Sequence, residues 1–336
     1  MTWMMPAEWA PHERTWMAFP SKGYTLGDNP HEARATWAAV AHAVAAYEPV
    51  TVVVDPADKV VAAQYLGDSV GVEYAELDDA WMRDIGPTFV VSTGQLGAVD
   101  WIFNGWGGQS WASWSRDALV GRFVAGLAGA EVVSSPIVNE GGGIHVDGEG
   151  TVLLTESVQL DPGRNPGLTR ADVEAELART LGVSKAIWLP YGLTRDEDEF
   201  GTRGHIDIVA TFASPGVVLL HDQRNPEHPD YERSQLFASI LAQSTDAKGR
   251  RLQVVKVPAP SVLRDDEGFV DYSYINHLVC NDGVVACSYD DPADSQAAAI
   301  LSSAYGRPVT AVDARPLFAR GGGIHCITQQ QPKVAS

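Results

Sequence analysis

Cysteine is scarce in this chain of 336 residues. The three present, Cys280, Cys287 and Cys326, are odd in number and form no Cys-x-x-Cys pair. That argues against a disulfide framework and for a reducing compartment, the cytoplasm. Cys280 and Cys287 end the apolar runs Ile275-Asn-His-Leu-Val-Cys280 and Val284-Val-Ala-Cys287 and are expected as buried core thiols. No apolar run reaches the length of a membrane-spanning helix, and no basic-then-apolar leader opens the chain, so neither a span nor a secretory signal is expected. Basic residues are few, 24 against 43 acidic, for a net charge of −19. Such a field repels nucleic acid and anionic membrane and attracts cations, although solubility alone would account for it. Dinucleotide and mononucleotide glycine fingerprints are absent, as is the Gly-x-Ser-x-Gly elbow of serine hydrolases. The nine histidines are scattered without metal-ligand spacing, so no metal and no cofactor is expected.

What the chain does have is core material. It is 45% hydrophobic, with ten tryptophans, enough for one large domain spanning residues 1–336. Helical periodicity is read at 31–48 (Trp37, Val40, Val44 and Tyr47 on one face), 113–128 (Leu119, Phe123, Leu127) and 169–182 (Val173, Leu177, Leu181), with weaker helices at 230–243 and 292–305. The third opens on Thr169-Arg-Ala-Asp172, a capping pattern. Strands are expected at Val50–Val54, Thr88–Val91, Thr151–Leu154, Ala186–Leu189, Ile206–Phe212, Val217–His221, Leu252–Val257, Tyr274–Val279 and Val284–Ser288. The later helices begin about every sixty residues, which points to a repeated strand-rich module around a common centre. A single doubly wound parallel sheet is the competing reading.

The segment Arg320-Gly-Gly-Gly-Ile-His-Cys-Ile-Thr-Gln-Gln330 sets Cys326 behind three glycines and a histidine. Glycines let the backbone turn, so the thiol is expected in an exposed turn as a nucleophile, and Thr328-Gln-Gln330 does not pattern as a core strand. Gly-Gly-Gly-Ile-His recurs at 141–145, where Val146 replaces the cysteine and Glu140 stands where the second copy has Arg320. If the copies are equivalent modules facing one centre, Glu140 reaches that centre; otherwise it is a surface carboxylate. His205 and Asp207, two apart on the expected strand 206–212, would point into one pocket as proton shuttle and cation holder, or form a metal pair or a structural histidine. Asp84 follows Arg83, and local evidence alone favours an ion pair between them. Taken together, one thiol, one histidine and three carboxylates suit a planar cation attacked by a thiolate.

These motifs resemble the agmatine deiminases, within the guanidine-modifying enzymes that include bacterial-type peptidyl-arginine deiminases. The resemblance runs from Pro6-Ala-Glu-Trp-Ala-Pro-His-Glu-Arg-Thr-Trp-Met-Ala-Phe-Pro20 to Gln331-Pro332. It includes Trp81-Met-Arg-Asp-Ile-Gly-Pro87, Phe103-Asn-Gly-Trp-Gly-Gly108, Glu140 to Thr151, Arg164-Asn-Pro166, Gly204-His-Ile-Asp207 and the Cys326 motif. It implies an α/β fold, a five-bladed propeller of ββαβ-like modules around a polar channel. It implies Cys326 as nucleophile, His205 as acid and base, Asp84 and Asp207 on the guanidinium, and Glu140 orienting His205 or joining those contacts. The implied substrate is the small cationic guanidine agmatine, with neither nucleic acid nor membrane as partner, and a homodimer is the general default. Two positions depart from the pattern: Gly323 replaces an asparagine, and Phe19 replaces a tryptophan. Trp81 and Trp106 are candidates to flank the substrate chain, and Arg203 is a candidate to meet a carboxylate. Free arginine or peptidyl arginine as substrate, amidino transfer, and a non-catalytic binding module of the same fold are the alternatives.

Overall fold

The computed structural model describes residues 2–334. Its architecture is mixed α/β, and the strands fall into separate small sheets. That arrangement excludes one doubly wound sheet. Four sheets repeat one strand order: Thr88–Ser92, Gln95–Ile102 and Glu131–Val138; Ile144–Val146, Thr151–Thr155 and Lys185–Leu189; Ala210–Ser214, Val217–Asp222 and Gln253–Pro258; Leu278–Val279, Val284–Ser288 and Val309–Asp313. In each, the first two strands pair antiparallel and the third lies parallel to the second. A parallel neighbour requires a long crossover, and helices Val120–Leu127, Arg170–Leu181, Asp230–Gln243 and Asp294–Tyr305 supply it. Arg264–Asp265 and Gly268–Phe269 make a two-stranded ribbon, and the remaining sheet is built from both ends of the chain. Thr328–Pro332 pairs antiparallel with His12–Ala18, and helix Pro30–Ala45 leads from His12–Ala18 to the parallel strand Val50–Val54. A further helix, Lys59–Leu66, leads to the edge strand Gly71–Tyr74, which lies parallel to Val50–Val54.

The helices form where their apolar positions can reach the sheets. Trp37, Val40 and Val44 are buried on one face of Pro30–Ala45, and Val173, Leu177 and Leu181 on one face of Arg170–Leu181. The capping pattern at 169–172 is made as expected: Thr169 Oγ1 accepts from Asp172 N, and Asp172 accepts from Thr169 N. Val50–Val54 and Thr151–Thr155 are buried throughout, as strands covered on both faces must be.

The departures from expectation have identifiable causes. The helix expected at 113–128 begins with a 3-10 turn at Asp117–Leu119, because Asp78 and Asp117 trade side-chain hydrogen bonds to the backbone of Arg116 and Asp78. Its buried face is Val120 and Val124, while Leu119 and Leu127 are exposed. Strand 206–212 does not form as drawn. Ile206–Ile208 is a 3-10 turn, and the strand starts at Ala210. Of 274–279, Leu278–Val279 alone is strand. Thr328–Pro332 is a buried strand despite three glutamines. Two of the three glutamines are held by hydrogen bonds: Gln331 Oε1 accepts from Trp16 Nε1 at 2.9 Å, and Gln329 Nε2 donates to Pro87 O at 2.8 Å.

The Trp16–Gln331 bond ties the two ends of the chain inside the core. Gln331→Ala leaves a buried indole N–H unpaired, and a loss of about 1–3 kcal/mol is expected in chemical unfolding.

Candidate active site

Cys326 lies between the short helix Arg315–Phe318 and the strand Thr328–Pro332. Its thiol is buried, 6% exposed, and not on an open turn. The glycines before it serve close approach. A Cβ on Gly322 would stand 2.9 Å from Cys326 Sγ, and one on Gly323 would stand 2.5 Å from Asn276 Oδ1. Asn276 occupies that space. Its Nδ2 donates to Cys326 Sγ at 3.1 Å, and its Oδ1 accepts from His325 N at 2.9 Å. The glycine that stands in place of an asparagine therefore makes room for another asparagine.

His205 and Asp207 both enter this centre, from the 3-10 turn and not from one face of a strand. The loop before them is drawn tight by Asp196, a buried carboxylate that takes the backbone N–H groups of Thr202, Gly204 and His205 at 2.7–3.0 Å. Gly204 holds φ +114°, and a Cβ there would meet Ser157 Oγ at 2.5 Å, so the position demands glycine. Asp207 Oδ2 lies 3.5 Å from Cys326 Sγ and 2.8 Å from His325 Nδ1. Asp207 Oδ1 is buried with no hydrogen-bond partner.

Glu140 is fully buried, so the surface reading fails. Its Oε2 is 3.2 Å from His205 Nε2, and both its oxygens take Arg164 Nε at 2.9 and 3.0 Å. The other ring nitrogen of His205 is 3.9 Å from Asp84 Oδ1. Asp84 itself accepts from Trp106 Nε1 at 2.9 Å and from Gly142 N at 3.1 Å. The first glycine copy is thus part of the centre, and a Cβ on Gly142 would sit 2.4 Å from His205 Nδ1. Arg83 does not pair with its neighbour Asp84. It turns to Gln329 Oε1 at 2.8 Å, Glu8 Oε1 at 3.4 Å and His325 O at 3.2 Å.

These positions fix the charges. Burial alone would lower the basicity of His205, but Asp84, Glu140 and Asp207 outweigh it and raise its pKa to about 9. Burial would raise Glu140, yet Arg164 and His205 bring it to about 2. Asp84 rises to about 6, because burial and the neighbouring carboxylates Glu140 and Asp207 exceed the pull of His205. The Cys326 thiol is pushed well above its usual range by burial and then by Asp207 and Asp84. The resting centre holds a protonated imidazole, ionised carboxylates and a neutral thiol. A cation placed against Asp207 and Asp84 would offset what keeps that thiol neutral.

Above Cys326 and Asp84 the walls of the cleft are Trp81, Trp106, Trp111 and Phe200. Trp106 and Trp111 stack with centroids 5.4 Å apart. Both tryptophans expected to flank a substrate are there. Arg203 is half exposed and faces Asp161 at 3.8 Å. Arg320, which does line the cleft, spends its donors on Thr25 O, Pro316 O and Glu32. All five residues singled out as catalytic or substrate-binding are brought together. Residue patterning missed Asn276, which sits in an apolar run, and Glu8, Arg164 and His325, which stood inside quoted motifs without a role.

In the ligand-free protein the His205 ring is expected to titrate near pH 9. Glu140→Gln removes one supporting charge, so the midpoint should fall; histidine-resolved NMR titration reads both values, and an unshifted midpoint would contradict the charge assignment.

Known proteins of this kind carry the same organisation. A family model described as Porphyromonas-type peptidyl-arginine deiminase matches residues 4–332. A Streptomyces coelicolor protein provisionally named agmatine deiminase is 61% identical, with 99% of this chain and 100% of that one aligned. The agmatine deiminase of Stutzerimonas stutzeri is 42% identical over 98% of this chain and 95% of its own. The solved agmatine deiminase of Enterococcus faecalis superposes with TM-score 0.93 at 33% identity, covering 99% of this chain and 97% of that one. With its thiol, histidine and carboxylates assembled and its full length matched, the chain belongs to the Porphyromonas-type peptidyl-arginine deiminase family.

Proposed function

We propose that the protein is an agmatine deiminase, hydrolysing the guanidinium of agmatine to N-carbamoylputrescine and ammonia. The observation that carries this reading is the unpartnered Asp207 Oδ1 beside a buried neutral thiol and the raised Asp84. A guanidinium supplies the missing hydrogen-bond donors and, at once, a cation to offset the thiolate that forms beside those carboxylates. Full-length identity to proteins named agmatine deiminase supports the same substrate.

The substrate tail follows from what surrounds the cleft. Arginine would add a carboxylate, and Arg320 is already committed. A second hollow, sharing Phe200 and Gly321 with the cleft, is bordered by Glu199, Glu267 and Asp271, with Arg195 paired to Asp265 and Glu267. An amine fits such a rim better than a carboxylate, and the net charge of −19 draws a dication toward it.

The steps balance as follows. On binding, the guanidinium lies against Asp84 and Asp207, and the Cys326 proton leaves to solvent. The thiolate attacks the guanidinium carbon, forming a C–S bond and a neutral tetrahedral adduct. His205 gives its proton to one amino nitrogen, the C–N bond breaks and ammonia leaves, with an S-alkyl thiouronium remaining on Cys326. His205, now neutral, takes a proton from water as the oxygen bonds to carbon. The C–S bond breaks, the thiolate returns, and the proton released from the oxygen is taken up by ammonia. Asn276 and Glu140 hold the thiol and the imidazole in place during these transfers.

The same reading makes the five sheets of three or more strands the blades of one propeller domain about a polar centre. Support comes from the repeated strand order and from the residues that meet in that centre from different sheets. Three unpaired, buried cysteines support a reducing compartment such as the cytoplasm.

Ammonia release from agmatine, free arginine and an arginine peptide decides the substrate. Agmatine is expected to be favoured, and Cys326→Ser is expected to lose at least about 10³-fold in kcat. Acid quench during turnover should trap a Cys326 adduct. Turnover of arginine alone, or near-full activity of Cys326→Ser, would overturn the reading.

A further inference from the structure

The histidines of the two glycine motifs, His145 and His325, take no part in the steps above, yet both are buried and both face one carboxylate. Glu8 Oε1 lies 2.8 Å from His325 Nε2, and Glu8 Oε2 lies 3.6 Å from His145 Nε2. The two rings are 6.4 Å apart. Glu8 comes from the segment preceding the first strand, so three distant parts of the chain meet here.

The decisive contact pair belongs to His325. Its Nε2 faces Glu8 Oε1 and its Nδ1 faces Asp207 Oδ2, each at 2.8 Å. A neutral imidazole has one N–H and could serve one of these acceptors. Two ionised carboxylates on opposite sides require both nitrogens to donate. We propose that His325 is a permanent imidazolium clamped between Glu8 and Asp207, and that it is a positioning residue which fixes Asp207 so that its free Oδ1 meets the substrate guanidinium. The inference rests on the deiminase reading and assigns the histidine of the second glycine motif a task within it.

The surrounding charges agree. Arg83 touches the far side of Glu8 Oε1 at 3.4 Å, so Glu8, Asp207, His325 and Arg83 make two anions and two cations. With a neutral His325 this buried group would keep an uncompensated anion, which is costly. His145 Nδ1 accepts from Phe212 N at 3.2 Å, which leaves its hydrogen on Nε2, toward Thr211 Oγ1 and Glu8. The other groups facing this cluster are His205, whose charge acts on Asp207, the Cys326 thiol against Asp207, and His277, which burial and neighbouring His325 push down to about 4. Burial would raise Glu8 and Asp207, but both are held below the usual carboxylate range. For Glu8 the lowering comes first from His325, with His145 and Arg83 adding to it; for Asp207 His325 comes first. His325 in turn is raised, since Glu8 and Asp207 outweigh burial and Arg83. Activity that depends on this imidazolium is present below the raised pKa and is lost as pH rises through it.

The test uses the full chain, labelled with 15N-histidine, and Glu8→Gln. In ligand-free wild type at pH 7, both His325 nitrogens should show attached protons. A bare nitrogen there overturns the proposal, whatever the substrate. In Glu8→Gln the amide still accepts one bond but the charge is gone, so the His325 midpoint should move to lower pH while His205 stays near its wild-type value. On the guanidine that wild type turns over best, kcat/KM should fall about tenfold or more, with the deficit growing between pH 6 and pH 8. An equal loss at every pH, or none, removes the positioning role. If wild type turns over no guanidine, the deiminase reading falls instead. Guanidinium-ion binding to wild type and Glu8→Gln then decides positioning, with unchanged affinity counting against it.

Discussion

A buried cluster of carboxylates packed against a neutral thiol governs this molecule. Asp84 and Asp207 lie beside a thiol that their own charge, together with burial, keeps protonated. Asp207 leaves one buried oxygen, Oδ1, without a hydrogen-bond partner, and buried polar atoms are as a rule matched. On the proposed reading, hydrogen bonds and nucleophilicity are gained in the same event, the arrival of a flat cation with donors at its edge whose charge offsets that of the thiolate. That couples recognition to activation and keeps the thiol unreactive until the right ligand is in place.

Holding acids together without their repelling one another requires rigid counter-charges. Arg164 clamps Glu140 through both oxygens, Arg83 and His325 neutralise Glu8 and Asp207, and Asp196 draws the His205 loop tight through three backbone N–H groups. These partners come from widely separated parts of the chain, and Gly141, Gly142, Gly322 and Gly323 let them approach where a Cβ would intrude. The closure of the first sheet by the last strand brings Cys326 within reach of Arg83, whose N–H donates to the Cys326 carbonyl at 3.0 Å. Fold and site therefore share the same joints.

Much of this was legible in residue order. Helices with a clear apolar stripe, such as Pro30–Ala45 and Arg170–Leu181, and uniformly apolar strands such as Val50–Val54 and Val284–Ser288, announce themselves because local pattern and tertiary role agree. Residue order failed where tertiary contacts override that pattern. Thr328–Pro332 reads as polar because its glutamines hydrogen-bond inside the core. Residues 206–208 read as strand because Ile-Asp-Ile alternates, while Asp196, Ser273 and Asn276 hold the backbone of this stretch in a turn. In the site, the reactive groups stood out by their glycine-rich settings. Asn276 could not, since its role exists only through the gap left at Gly323, and His325 could not, since its state is set by two carboxylates far away in sequence.

The central claim is that the free protein keeps Cys326 neutral and that a bound guanidinium lowers its pKa. Titration of the thiolate by ultraviolet absorbance, against Cys326→Ser and with or without guanidinium ion, tests it directly. The account predicts a midpoint above the ordinary thiol range in the free protein and a shift to lower pH when the ion binds. A thiolate already formed at neutral pH in the free protein, and indifferent to the ion, would contradict it.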